Sequence, residues 1–313
     1  MRARIALLLG FTLAHALACA PTDPVRQIEL GQAQQRAVFQ QALDENLKLA
    51  RAGNVEAMRN VGQIYASGAG LPADHAEALR WYQQAAERGD AESAYRMAVM
   101  IDYGVGAAAD PVAAVRWLRV AAEQGHPNAQ RQLADMLSQG RGAAKDDAEA
   151  SRWYLAAAEQ GEPAAQLAIA LRLDGGIGVA ADPVAALAWH RRAAERGDPA
   201  AQYQVGFHHD MGIGTREDDY EAASWYRRAA EAGNGDAQYA LGVLLGQPRG
   251  AFGDPIESCS WLEIAARAFY PNARRALLVA QRKLSENEIE DCRKLADDFE
   301  QRHAKPKPPP AAN

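Results

Sequence analysis

The six tryptophans of this 313-residue chain recur at a fixed interval of 36 residues. An Asp stands seven residues before each Trp, and a pair of alanines begins four residues after it. A fixed period of this length indicates an array of stacked structural units, because no single unit is large enough to bury a core alone. The tryptophans are Trp81, Trp117, Trp153, Trp189, Trp225 and Trp261.

Each period contains two helical stretches. In the fourth unit, residues 165–173 carry apolar side chains at helical spacing, and a glycine-containing turn follows them. Asp182 and Pro183 then begin a second helix, because Asp accepts hydrogen bonds from free backbone N–H groups and Pro tolerates the first helical position. We expect the Trp of each unit to fill the gap between neighbouring layers, so that Trp153→Ala costs about 3–5 kcal/mol.

The pattern within the period resembles the Sel1-like repeat, a branch of the tetratricopeptide-like helical solenoids. This resemblance implies an all-α, right-handed solenoid of six 36-residue helix–turn–helix repeats, with capping helices at both ends. The first unit carries the pattern at Ala57, Val61, Gly62, Tyr65, Gly68, Gly70, Asp74, Ala78, Trp81, Tyr82, Ala85, Ala86 and Gly89.

The repeats are predicted to cover residues 57–272. Residues 25–56 read as an N-terminal capping helix and residues 273–303 as C-terminal capping helices. Ser285 and Glu288 have the spacing of a capping box at the start of the last helix. The Pro-rich residues 304–313 are predicted to be disordered.

The N-terminal residues have the pattern of an export signal. Residues 1–18 combine two arginines, a short apolar run and small residues, which is typical of a secretory signal peptide. Cys19 resembles the acylated cysteine of bacterial lipoproteins, and residues 19–24 would then form the linker to the lipid anchor. By the same resemblance, Ala20 favours the outer membrane over the inner membrane. The alternative is ordinary cleavage near Ala18, which would leave a soluble periplasmic or secreted protein.

Two further cysteines are placed near the C-terminus. Cys259 lies on the second helix of the sixth unit, and Cys292 lies on the terminal helix that should pack beside it. An exported protein meets an oxidising compartment, which favours a disulfide. Two buried thiols are the alternative.

The sequence offers little catalytic or ligand chemistry. The glycine pairs follow helices rather than strands, so they indicate turns and not a nucleotide site. His208, His209 and Asp210 are the best metal candidates, yet adjacent helical residues point in different directions, so we expect no metal and no cofactor. The net charge of −6 gives no basic excess for phosphates, so we expect no nucleic-acid partner.

A variable stripe on the first helices is the candidate partner-binding groove. In solenoids of this kind the first helices line the concave face, and Tyr and Phe on a groove are typical anchors for a protein partner. The acids in the stripe predict a partner with basic groups. The groove residues are Arg59, Tyr95, Asp102, Tyr103, Arg131, Asp135, Leu167, Leu171, Tyr203, Phe207, Asp210, Met211, Tyr239 and Val243.

These features together predict a non-catalytic protein-interaction scaffold of the bacterial envelope, tethered through an N-terminal lipid, with no small-molecule substrate. Resemblance to related proteins leaves an immunity protein against a periplasm-targeted toxin, such as a phospholipase, as an alternative. A β-lactam-binding or β-lactam-hydrolysing enzyme is a different class, but the chain has no Ser-x-x-Lys nucleophile motif. A polysaccharide-binding module that uses the groove tyrosines is a further alternative.

Overall fold

The computed structural model describes residues 24–68, 72–247 and 253–303, with side chains described from residue 38 onward. The predicted signal peptide, Cys19 and the Pro-rich tail lie outside these residues. The described ranges contain fifteen helices and no strand. The helices are α1 Pro24–Arg51, α2 Val55–Ser67, α3 His75–Ala86, α4 Ala91–Tyr103, α5 Pro111–Glu123, α6 Pro127–Gln139, α7 Asp147–Glu159, α8 Pro163–Gly175, α9 Pro183–Glu195, α10 Pro199–Met211, α11 Asp219–Glu231, α12 Gly235–Leu245, α13 Pro255–Arg267, α14 Ala273–Gln281 and α15 Glu286–His303.

Two compact units divide the chain, one up to Gln124 and one from Gly125 onward. The N-terminal unit contains α1–α5, and the C-terminal unit contains α6–α15. Within each unit, consecutive helices up to α14 pack against each other in chain order, and α15 packs against α13. The predicted fold class, an all-α solenoid of six helix–turn–helix repeats, is confirmed. The first repeat helix begins at Val55, two residues before the predicted boundary.

Helix starts and ends follow the residues that the repeat supplies. At the start of α9, the side chain of Asp182 accepts a hydrogen bond from the N–H of Ala185 at 2.9 Å, and Pro183 occupies the first turn. Gly176 ends α8 with a φ of 63°, a left-handed conformation that costs glycine little. These local signals fix where each helix begins and ends, so each 36-residue period folds into the same pair of helices.

A second glycine in the same turn holds neighbouring repeats close together. Gly178 has a φ of 67°, and a Cβ added there would clash with the carbonyl oxygen of Asp147 at the start of α7. The turn of one repeat therefore rests directly on the backbone of the preceding repeat. Gly106 and Gly214 approach the backbone of His75 and Pro183 in the same way, each in the repeat that precedes the glycine.

The tryptophans differ in burial, and two of the less buried ones pack against the preceding repeat. Trp81 and Trp261 are buried, whereas the other four are partly buried. Trp117 packs against a cluster that contains Tyr82, and Trp225 packs against one that contains Leu187, as expected for side chains that fill the gap between layers. The indole N–H of Trp153 donates to Glu149 on its own helix at 3.0 Å. The residue after each Trp is the buried one, and these residues are Tyr82, Leu118, Tyr154, His190, Tyr226 and Leu262.

The C-terminal cap is joined to the last repeat by a covalent bond. Cys259 on α13 and Cys292 on α15 form a disulfide in the structure, with 5.7 Å between their Cα atoms, and both residues are fully buried. At the start of α15, the backbone N–H of Ser285 donates to Glu288 at 2.7 Å, which is the geometry of a capping box. None of the described helices is long and apolar enough to cross a membrane.

Candidate functional site

Aromatic side chains gather on the first helices of the C-terminal unit. The ring of Tyr203 on α10 lies 6.3 Å from that of Phe207 and 5.6 Å from that of buried Tyr226. Tyr239, on α12, packs its ring 5.3 Å from Tyr270. All of these except Tyr226 keep part of their surface exposed. Burial also raises the pKa of Tyr203, so its hydroxyl stays protonated at physiological pH.

A cavity of about 520 Å³ opens between α12, α13 and α14. Tyr239 and Val243 are the two predicted groove residues that line it. The remaining apolar wall comes from α13 and α14, and two cations, Arg275 and Lys283, also line the cavity. The apolar lining residues from those helices are Leu262, Ala276, Val279 and Ala280.

The cavity has an apolar interior and a positive side. Val279 is about half-exposed, at 51% of its surface, although it is aliphatic. Lys283 donates to the carbonyl oxygen of Gly246 at 3.1 Å, which holds the ammonium group at the end of α12. Arg275 is exposed. This arrangement suits an apolar side chain that is followed by an acidic group.

Two of the acids of the predicted groove accept hydrogen bonds within their own repeats. Asp135 accepts a hydrogen bond from the hydroxyl of Tyr154 and pairs with Arg131, both at 2.5 Å. Asp210 accepts from the hydroxyl of Tyr226 at 3.3 Å. Asp102 is buried, with only 7% of its surface exposed. Asp135 and Asp210 thus already have partners within their repeats, and a role of these acids in recruiting a basic partner stays a prediction.

The other predicted groove residues fall into two groups. Some are used internally: Arg59 pairs with Asp90 at 2.8 Å, and Leu167 packs against the cluster that contains Leu187 and Val205. Tyr95 is half-buried. The large apolar side chains that remain exposed are Tyr103, Leu171 and Met211.

The three adjacent residues weighed for metal binding turn to three different partners. His208 faces Asp174 of the preceding repeat, whereas His209 Nε2 accepts a hydrogen bond from Arg191 at 3.1 Å. Asp210 is taken by Tyr226, as described above. The α13 and α14 side of the cavity was not predicted, because α14 lies beyond the repeat pattern. The exposed pair Leu278 and Val279 was the signal available there.

The model of the Sel1 repeat matches this chain six times, over residues 55–90, 91–126, 127–162, 163–198, 199–234 and 235–268. A search of curated proteins finds no match. A Sel1 repeat protein from Oxalobacter formigenes has a similar structure, with 31% identity and a TM-score of 0.64, over 76% of this chain and 99% of that one.

A second similar structure is c5321, described as a protective antigen present in uropathogenic Escherichia coli strains. It has 25% identity and a TM-score of 0.65, over 87% of this chain, and the match spans 60% of that protein's length. The immunity protein PA5088 from Pseudomonas aeruginosa is a distant likeness, with 16% identity, a TM-score of 0.35 and coverage of 93% and 91%, and it carries no argument about function. The chain belongs to the Sel1 repeat family.

Proposed function

We propose that this Sel1 repeat scaffold is a non-catalytic envelope protein that binds a partner protein at the cavity between α12, α13 and α14. Sel1 repeat proteins are typically protein-interaction scaffolds, which supports the general class. The observation that carries the specific proposal is the cavity itself, since it is the place where two predicted groove residues, Tyr239 and Val243, border a space of about 520 Å³. Such a volume accommodates one or two apolar side chains of an extended segment.

The lining favours an acidic partner segment over a basic one. Arg275 and Lys283 are both cations, and the described lining residues include no acid. Of the acids predicted to face a basic partner, Asp135 and Asp210 accept hydrogen bonds within their own repeats. Positive rim charges raise the association rate of a negative partner, and added salt screens this effect.

An envelope location is the second part of the proposal. The N-terminal sequence has the pattern of an export signal, and Cys19 follows it at the position of a lipoprotein cysteine. The Cys259–Cys292 disulfide is also typical of a protein in an oxidising compartment. Mass spectrometry of the mature N-terminus tests the anchor: we expect an acylated Cys19, and an unmodified N-terminus would remove the lipid from the proposal.

Site-directed photo-crosslinking in cells of the source bacterium tests the binding site. A photoreactive residue at Val279 should crosslink a specific protein, because this position lines the cavity. The same residue at Val184, which is 64% exposed on the second helix α9, is the matched control. Equal crosslinking of the same protein from both positions would contradict a site at the cavity.

The captured protein then has to be characterised as a ligand. Its purified form should bind the scaffold with an affinity that falls when an acidic group of the bound segment is neutralised. Its binding should also weaken as salt is raised. Salt-independent binding would contradict the role of Arg275 and Lys283.

A further inference from the structure

Three polar side chains from consecutive helices meet inside the C-terminal unit. Nε2 of His190 on α9 lies 2.8 Å from Oδ2 of Asp174 on α8. Nε2 of His208 on α10 lies 3.2 Å from the same carboxylate. One ligand atom from each residue lies within 4.8 Å of the other two, and the imidazole centroids are 5.4 Å apart.

Stacking of the repeats does not require these residue types. His190 occupies the buried position after the Trp, which other repeats fill with Tyr or Leu. His208 occupies a position that most other repeats fill with an apolar side chain. The residues at the position of His208 in the other repeats are Ile64, Met100, Met136, Arg172 and Leu244. Two histidines therefore replace residues that would pack a core equally well.

The hydrogen bonds of His208 determine which of its nitrogens carries a proton. Nδ1 of His208 lies 2.9 Å from the carbonyl oxygen of Ile213, and a carbonyl accepts but does not donate, so Nδ1 carries the hydrogen. In the neutral ring, Nε2 then presents a lone pair to the Asp174 carboxylate. Two acceptors at 3.2 Å repel each other unless a second proton or a cation lies between them.

Both histidine rings of the cluster are enclosed by the fold. Both rings are almost inaccessible, at 0% and 2% of their surface, whereas the Asp174 side chain is 25% exposed. The cluster therefore opens outward only on the side of the carboxylate.

We propose that Asp174, His190 and His208 bind a divalent transition-metal ion of the zinc type, with one coordination position open beside Asp174. Two neutral imidazoles and a carboxylate form a common zinc ligand set, and zinc takes a fourth ligand in tetrahedral geometry. The bond from His208 Nδ1 to Ile213 is the supporting contact that orients a metal-binding histidine. The fourth ligand is water or a side chain from a partner.

The metal would join three successive helices of the C-terminal unit. Asp174 ends α8, His190 lies within α9, and His208 lies within α10, so one ion connects two repeats. In the next repeat, the Tyr226 hydroxyl bonds to Asp210 at 3.3 Å within a single repeat. Metal binding by Asp174, His190 and His208 would therefore stabilise the contact between two repeats as well as the pairing of α8 with α9.

Calorimetric titration of untagged, chelator-treated protein with Zn²⁺ tests the site. We expect one equivalent to bind and the melting temperature to rise by about 5–10 °C when free Zn²⁺ is roughly 100 times Kd. Co²⁺ should give the visible absorption of a tetrahedral complex. The absence of stoichiometric Zn²⁺ binding in this titration would overturn the proposal.

Substitutions taken from the other repeats separate metal binding from folding. His190→Leu and His208→Leu place the residues of the sixth repeat in the fourth and fifth, and Asp174→Asn alters a partly exposed side chain. Each should weaken Zn²⁺ binding by about 100-fold or more while the helical content is kept. The matched control is His209→Tyr, which changes the adjacent histidine outside the cluster and should leave Kd unchanged. Full binding by folded His190→Leu and His208→Leu would overturn the assignment.

Discussion

The hydroxyl group of Tyr154 on α7 donates a hydrogen bond to Asp135 on α6 across 2.5 Å. The bond joins the second helix of a repeat to its first helix, and Arg131 pairs with the same carboxylate from the other side. Two units later, Tyr226 at the equivalent position bonds to Asp210, which lies about one helical turn beyond the position of Asp135. Each such bond occupies an acid of the first-helix face and fixes the pairing of two helices.

Alkaline conditions should weaken the contribution of Tyr154. Burial, followed by the charge and hydrogen bond of Asp135, raises the pKa of Tyr154 to about 12 from an ordinary value of 10.0. The folded state therefore holds the proton between these values while the unfolded state loses it, so stability is full below pH 10 and is lost as the pH rises toward 12.

Urea unfolding at pH 8 and pH 11 checks this dependence. At pH 8, Tyr154→Phe should be less stable than the wild type by about 1 kcal/mol, the value of one hydrogen bond. At pH 11 the wild type has lost roughly 1 kcal/mol of stability through the Tyr154 hydroxyl, whereas Tyr154→Phe has no such group to lose. The difference in the free energy of unfolding between the two proteins should therefore disappear. A gap of the same size at both pH values would contradict the raised pKa.

Truncation of Tyr154 should cost more than truncation of its neighbour Trp153. Tyr154 is buried, at 6% of its surface, whereas Trp153 is only partly buried. We expect about 3–5 kcal/mol for Tyr154→Ala and about 1–2 kcal/mol for Trp153→Ala, because a partly exposed ring leaves a smaller cavity. Chemical denaturation measures both, and the reverse order would show that Trp153 contributes more to the packing than Tyr154.

Replacement of Gly178 by Ala should weaken the contact between repeats. The new Cβ would overlap the carbonyl oxygen of Asp147 and occupy a left-handed conformation, at a cost of about 2–4 kcal/mol. Gly197→Ala is the matched control, since Gly197 has a φ of 92° and open space around it. It should cost only about 1 kcal/mol from the backbone. Equal melting temperatures for the two variants would show that the turn does not rest on α7.

Phe269 stands where five repeats have a glycine, and its backbone is left-handed with a φ of 58°. Its side chain is 90% exposed, so it contributes little packing. Phe269→Gly should therefore stabilise the protein by about 0.5–1 kcal/mol. Phe269→Ala keeps the strained backbone and should change the melting temperature little. A destabilised glycine variant would show that the exposed ring has a packing role.

Local chemistry made much of this fold predictable. Asp182 starts α9 by accepting a hydrogen bond from a free backbone N–H, and Pro183 fits the first helical turn, where no N–H donor is needed. The glycines of the turns end the helices that precede them. The period then repeats these signals, so the all-α repeat architecture follows from the sequence. The relative burial of Trp153 and Tyr154 was not predictable in this way, because large side chains occupy both positions in most repeats. The two residues are adjacent, and the rotation of about 100° per helical residue decides which one faces inward.

The candidate site was harder to predict because it depends on contacts between distant positions. Asp135 reads as a free groove acid until Tyr154, 19 residues later, is seen to reach it. The cavity depends on Val279 and Lys283, which follow no repeat pattern. His208 similarly meets Asp174 and His190 only when two repeats are stacked.

The affinity of the crosslinked partner for two variants tests the central claim, that the cavity between α12, α13 and α14 is the partner-binding site. Val279→Asp places a negative charge inside the cavity, and Val184→Asp places the same charge on an exposed valine of α9. With both variants folded, we predict that Val279→Asp weakens binding at least tenfold, about 1.4 kcal/mol, while Val184→Asp matches the wild type. Equal Kd values for wild type and Val279→Asp would contradict the account.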